Sequence, residues 1–297
     1  MKMIKQLVQL CLLLIFLPLI ACSNDHLPPR DNGNKKSMTP LTLYFNKETG
    51  AQFAARIQAN VDNPLPTSST TFYNQHWDKN PIDVLIEHGQ NSITLHHVIG
   101  VQAGVGQSDQ LIDGYSVYAG LTNDNTMNHD KARLTVLAIF KELKQLGWQR
   151  VIELSAPRLV GKDTITYASK HTYELDPDYP YTLDEWMQLK DGSRWLLQAN
   201  GIYMTITMRR DQSKMDPQQP GAYFVSYKFE SEKKYYAPYF QDDDLKKWEI
   251  NAARWIALYP GIKKEMNQIR TKTEAELKAQ GIMIDESYQD PPLVSKK

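Results

Sequence analysis

The chain has 297 residues, and its 34 Lys and Arg are balanced by 34 Asp and Glu, so its formal charge is zero. Charge is interspersed and there is no basic surplus to argue for nucleic acid or an anionic bilayer surface, so neither is expected as a partner. Two cysteines exclude a disulfide framework of the small secreted kind, while 41% hydrophobic residues over this length can build a sizeable core.

At the N-terminus, Lys2 and Lys5 precede an apolar run from Leu7 to Ala21 that is interrupted only by Gln9 and Pro18. Positive charge before a short apolar stretch is the layout of a secretory signal, and the run falls short of the roughly 20 residues that span a bilayer. It closes on Leu19-Ile20-Ala21-Cys22, which resembles the lipobox of bacterial lipoproteins. The resemblance implies a signal peptide over residues 1–21, cleavage before Cys22, a diacylglycerol on the Cys22 sulfur and a further acyl chain on the freed amine. Each buried CH₂ contributes about 0.8 kcal/mol, so two or three chains anchor a protein durably where one does not. Cys11 leaves with the signal, so no thiol would remain for a disulfide or a nucleophile. Ser23, and not Asp, follows the cysteine, which by the same resemblance implies the outer membrane, facing the periplasm. Residues 23–40 are polar, rich in proline and without a periodic apolar face, so they read as a leash that reaches on the order of 60 Å when extended.

Beyond the leash, Leu41 to Phe45 reads as a strand, and Asn46 as the cap of a helix to about Asn60 with Phe53, Ile57 and Val61 on one face. Thr67 to Asn80 reads as loop. Strands follow at Asp83 to His88, Ser92 to Gln102 and Asp113 to Leu121, the last alternating Tyr115, Val117 and Ala119 against Ser116 and Tyr118. A helix from Asp130 to Leu146, capped by Asp130 or Asn128, carries the stripe Leu134, Leu137, Ile139, Phe140 and Leu143 and ends at Gly147. Arg150 to Leu154 resumes a strand. Thr182-Leu183-Asp184-Glu185 is a capping box that starts a short helix. Ser193 to Ala199 and Ile202 to Arg210 flank Asn200-Gly201, a strong hairpin signal, and Ala222 to Glu230 is a third strand. Two helices, about Asp242 to Leu258 and Lys263 to Gln280, are separated by Pro260-Gly261. The whole reads as an α+β fold of antiparallel hairpins with segregated helices. It divides into an N-terminal α+β half over residues 41–155, a C-terminal half over 156–281 and a tail over 282–297. The stretch from Ala156 to Asp178 would be the seam if the halves are separate domains.

Catalytic signatures are sparse. There is no G-x-S-x-G elbow, H-E-x-x-H pair or complete phosphate loop, and no cofactor is expected. Gly161-Lys162-Asp163-Thr164 echoes the end of a phosphate loop without its upstream glycine. Gly100, Gly104 and Gly106 miss the dinucleotide spacing and read as a flexible turn between strands. His96 and His97, as strand neighbours, point to opposite faces and cannot chelate one ion together, so no metal site is expected. The oxygen-rich stretch Asn123 to Asp130 lacks the glycine of a calcium loop and reads as helix capping. Asp242-Asp243-Asp244 likewise suits a helix start. A hydrolase with an unfamiliar site, using His129-Asp130 or His171, stays open; Asp176 with Asp178, or Asp184 with Glu185, does not stand out as a carboxylate pair in a chain with 34 acids.

Aromatic residues concentrate between Tyr223 and Tyr259, which hold eleven of the 30 in the chain. Tyr235, Tyr236, Tyr239 and Phe240 fall outside any periodic pattern, between Lys233-Lys234 and the Asp242 to Asp244 run, and are the candidate partner-binding residues. Two other uses stay open: the four rings could plug the sheet edge against the last helices, or stack on carbohydrate. With its lipobox, its leash and the hairpin text Asp191-Gly192-Ser193-Arg194-Trp195 leading to Asn200-Gly201-Ile202-Tyr203, the chain resembles periplasmic immunity lipoproteins that neutralise effectors of type VI secretion. The resemblance implies a protein partner, a toxin whose cleft is occluded at the membrane. An envelope scaffold or assembly lipoprotein is the alternative.

Overall fold

The computed structural model describes residues 39–62, 71–77, 80–105, 110–240 and 245–296. The signal sequence, Cys22, nearly all of the leash, Gly106 and the Asp242 to Asp244 run lie outside the described residues.

In chain order the strands and helices are β1 (Leu41–Tyr44), α1 (Gly50–Ile57), β2 (Asn60–Asp62), β3 (Thr71–His76), β4 (Ile82–Glu87), β5 (Ile93–Val105), β6 (Gly114–Gly120), α2 (His129–Gln145), β7 (Gln149–Arg150), α3 (Lys162–Ala168), α4 (Leu183–Gln188), β8 (Ser193–Ala199), β9 (Ile202–Arg210), β10 (Tyr223–Ser231), α5 (Glu232–Tyr236) and α6 (Leu245–Ala279). The fold is α+β. Ten strands make one sheet in the order β1-β4-β5-β6-β10-β9-β8-β7, with β3 on β5 and β2 on β3. Among the described residues only β1 and β4 run parallel; the other pairs are antiparallel. Strands from both halves of the chain share this sheet, because β10 lies between β6 and β9, and residues Thr39–Lys297 form one compact unit.

Alternation sorts the side chains into two layers. Tyr115, Val117 and Ala119 of β6 face the same way as Val225, Tyr227 and Phe229 of β10 and Trp195 and Leu197 of β8. With Phe53 of α1, Phe140 of α2 and Trp186 of α4 they form the main core. Leu196, between Trp195 and Leu197 on β8, and Tyr203 on β9 point the other way into a second core with Tyr236, Phe240, Trp255, Tyr259 and Leu293. That second layer covers the β8–β9 end of the sheet. Further along the same face Ser116, Tyr118, Phe224 and Ser226 stay partly exposed, with Tyr118 and Phe224 stacked at 5.9 Å.

Several expectations are corrected here. The first helix is capped by Thr49, not Asn46, through a capping box with Gln52, and it stops at Ile57; Val61 lies on a strand, 58% exposed. Thr71 to His76, expected as loop, is β3, and it explains Gly100. Gly100 and Gly104 are not a turn but part of β5, and a Cβ at Gly100 would lie 2.8 Å from the His76 ring on β3. On α2 the buried stripe is Ala132, Val136, Phe140 and Leu143, while Leu134 is half exposed. Rotation of the stripe follows from His129, the first helical residue, being buried against Tyr223. The strand expected from Arg150 ends there, and α3 was not foreseen.

The two final helices are one. α6 runs 35 residues through Pro260, a length of about 50 Å. A proline inside a helix costs about 3 kcal/mol, and packing on both sides offsets it. Trp255 and Tyr259 are buried before it, and Arg270, Glu274 and Leu277 after it. Glu274 takes the Arg158 guanidinium at 2.8 and 2.7 Å and the Arg158 amide at 2.9 Å. Arg270 donates to the carbonyls of Ala156 and Glu153 and to Asp290. The expected tail over 282–297 is tied to the body among its described residues: Tyr288 accepts the Ile152 amide at 2.8 Å, and Leu293 is buried. Among the described residues no helix is long and apolar enough to cross a membrane.

Candidate binding groove

Tyr235, Tyr236, Tyr239 and Phe240 do not form the exposed loop expected of them. Ser231 caps α5 by accepting the Lys234 amide, and the next turn, Ala237–Phe240, is a 3₁₀ helix. This winding turns the rings inward onto β9 and α6. Tyr236 and Phe240 are 1% and 5% exposed, and Tyr235 and Tyr239 are half-buried. Tyr235 stacks flat on Tyr203, with ring centres 4.0 Å apart. The Tyr236 hydroxyl lies 3.0 Å from that of Tyr203 and accepts from Tyr259 at 3.5 Å. Burial pushes the Tyr236 hydroxyl far above the usual phenol range and that of Tyr239 up to about 12. Aromatic density in the sequence does not show which way the rings face.

What the cluster supports is a groove on its outer side. Tyr259, the last ring of the cluster, begins a groove of ≈ 1180 Å³ between α6 and the C-terminal segment. Residues four apart share a helix face, so Pro260, Lys264, Gln268 and Lys272 make one stripe of the α6 side, and Lys263, Asn267, Thr271 and Ala275 the next. The opposite wall is Asp290 to Leu293, where two prolines hold the backbone extended. That wall is pinned at both ends. Asp290 receives Arg270 and Lys263, each at 3.0 Å. Beyond Leu293, the amides of Val294 and Ser295 donate to the buried Glu232 carboxylate, each at 3.0 Å. The groove is preformed, which lowers the ordering cost of binding. Its rim carries Lys264 and Lys272, both exposed and in no ion pair among the described residues. The Asn267 amide oxygen is buried there without a donor among the described residues.

A second polar cluster lies behind the tyrosines. Arg194 on β8 holds Glu174 at 2.5 Å and Glu153 at 3.5 Å, and Arg150 approaches Asp176 at 3.6 Å. Burial, and then repulsion from Glu153, raise the Glu174 carboxyl to about 7 despite its contact with Arg194.

The other sequence candidates fall elsewhere. His129 does not face Asp130, which instead pairs with Arg133. Its Nε2 lies 3.1 Å from the Asp216 carbonyl, which can only accept, so Nε2 carries the proton and Nδ1 accepts from the Tyr223 hydroxyl. Tyr223 in turn accepts from the Trp186 indole. This chain of bonds occupies both ring nitrogens and locks α2 to β10. Gly221 lets the backbone pass the ring, since a Cβ there would lie 2.4 Å from it. Gly221→Ala is expected to destabilise the protein by about 2 kcal/mol through overpacking, measured by urea denaturation; an unchanged midpoint would refute the close fit. His171 stacks on Tyr167 at 4.2 Å. His96 pairs with Asp83, and His97, at a β-bulge with φ 57°, bonds Asn123. Asn128 caps α2 as expected. Gly161 begins α3, and its amide donates to Asp176 at 2.8 Å. Asp178 pairs with Lys144, and Glu185 serves its capping box. Among the described residues no three His, Cys, Asp or Glu come together as metal ligands would.

No family model, curated protein or solved structure matches the chain.

Proposed function

We propose that this protein is a lipoprotein held by acyl chains on Cys22 at the outer membrane, facing the periplasm, and that its body binds a protein partner there. The particular form we favour is an immunity protein that neutralises a secreted toxin by covering its cleft. An envelope scaffold uses the same features and differs in its partner. The groove between α6 and Asp290 to Leu293 is the observation that carries the binding reading. At ≈ 1180 Å³ it exceeds the roughly 300–1,000 Å³ of small-molecule pockets and suits a segment of chain. Its walls are held in place before any partner arrives.

Two measurements test the reading. Mass spectrometry of the mature protein is expected to find an acylated Cys22 as the first residue, and Cys22→Ala is expected to abolish acylation and signal cleavage at that site. An unmodified N-terminus elsewhere would remove the anchor. Expression of the chain is expected to protect cells that produce the product of the neighbouring gene in their periplasm; loss of viability despite it would rule out the immunity form.

A further inference from the structure

We infer that the groove takes an acidic, amphipathic peptide segment of the partner, with an apolar side chain on the Tyr259–Leu293 floor and carboxylates against Lys264 and Lys272. The inference rests on the binding reading above and names the chemistry of the partner's contact.

Two features of the groove select this occupant. The first is charge: three lysines, at 263, 264 and 272, line the groove against one aspartate, Asp290. Asp290 is already held by Lys263 and Arg270, so the open positive charge belongs to Lys264 and Lys272. These two sit two turns apart on one stripe, about 12 Å along the helix axis, a spacing that a peptide's carboxylates can match. The second is shape. Thr271 and Ala275 are short side chains on the neighbouring stripe, so the groove stays open between the basic rim and the proline wall.

The test uses the full acylated chain in nanodiscs of zwitterionic lipid, with empty nanodiscs as the blank. The probes are a fluorescein-labelled peptide of Glu and Leu in helical spacing and its Lys and Leu counterpart. The acidic peptide is expected to bind at least about tenfold more tightly than the basic one, and to weaken as salt rises. Lys264→Glu with Lys272→Glu is expected to abolish that preference at an unchanged melting temperature, since both residues are exposed. Thr271→Trp is expected to block binding by filling the groove without altering charge. Equal binding of the two peptides, or unchanged binding by either variant, overturns the inference. So does binding of anionic phosphatidylglycerol in place of the peptide, or self-association of the chain that the charge reversal abolishes. The protection assay separates the two levels: protection by Thr271→Trp equal to that of the native chain moves the contact elsewhere and leaves the binding reading intact, whereas failure of the native chain to protect removes the immunity form of that reading whatever the peptide does.

Discussion

Replacing Arg270 with Ala is expected to lower stability by about 3 kcal/mol, the cost of removing one partner of a buried ion pair. Its guanidinium is 8% exposed and Asp290 6%, so solvent does little to replace the lost contact. Without it, the Ala156 and Glu153 carbonyls lose their donor as well. Lys263 still reaches Asp290 and keeps the loss from being larger. For a body of this size the melting temperature would fall by roughly 6–12 °C, readable by circular dichroism. Arg270→Lys keeps the charge without the planar fork and should recover only part of the loss. Because Arg270 pins one end of the groove wall, Arg270→Ala should also make the segment from Asp290 to Leu293 more protease-sensitive. A melting temperature within a degree of the native value would refute the pinning role.

Glu174→Gln is expected to change the pH dependence of stability. The folded-state carboxyl titrates near 7, above its ordinary 4.5, so the folded protein holds a proton that the unfolded chain releases. Stability from this proton is complete below about 4.5 and is lost as pH rises through 7. A shift of this size corresponds to an effect on the order of 3 kcal/mol. Glutamine stands in for the protonated acid and has nothing to lose. The variant should therefore be close to the native chain at pH 5 and more stable than it at pH 8, while Arg194 keeps Glu153 as a partner. Urea denaturation at the two pH values decides it; parallel curves would show that Arg194 holds Glu174 ionised throughout.

Local signals were legible in the sequence, and long-range ones were not. Asn200-Gly201 placed the β8–β9 hairpin to the residue, because both turn positions need positive φ and these residues adopt it at little cost. The alternation of β6 and the capping box at Thr182 were read correctly for the same reason: each is complete within a few neighbours. By contrast, β3 carries Asn, Gln and His and becomes a strand through pairing with β2 on one side and the long β5 on the other. The C-terminal segment looked like a tail because its ties run to Ile152, Glu232 and Arg270, none of them near in sequence. The groove it walls carries no motif for that reason.

The position of β10 has a consequence for how such a chain is made. Among the described residues this mid-sheet strand comes last in the chain, and its partner β6 precedes it by more than a hundred residues. Until Ser231 has emerged, β6 and β9 each present an unpaired edge, and the main core cannot close. Contacts this distant along the chain slow folding. The growing chain would therefore stay without a closed main core for most of its synthesis.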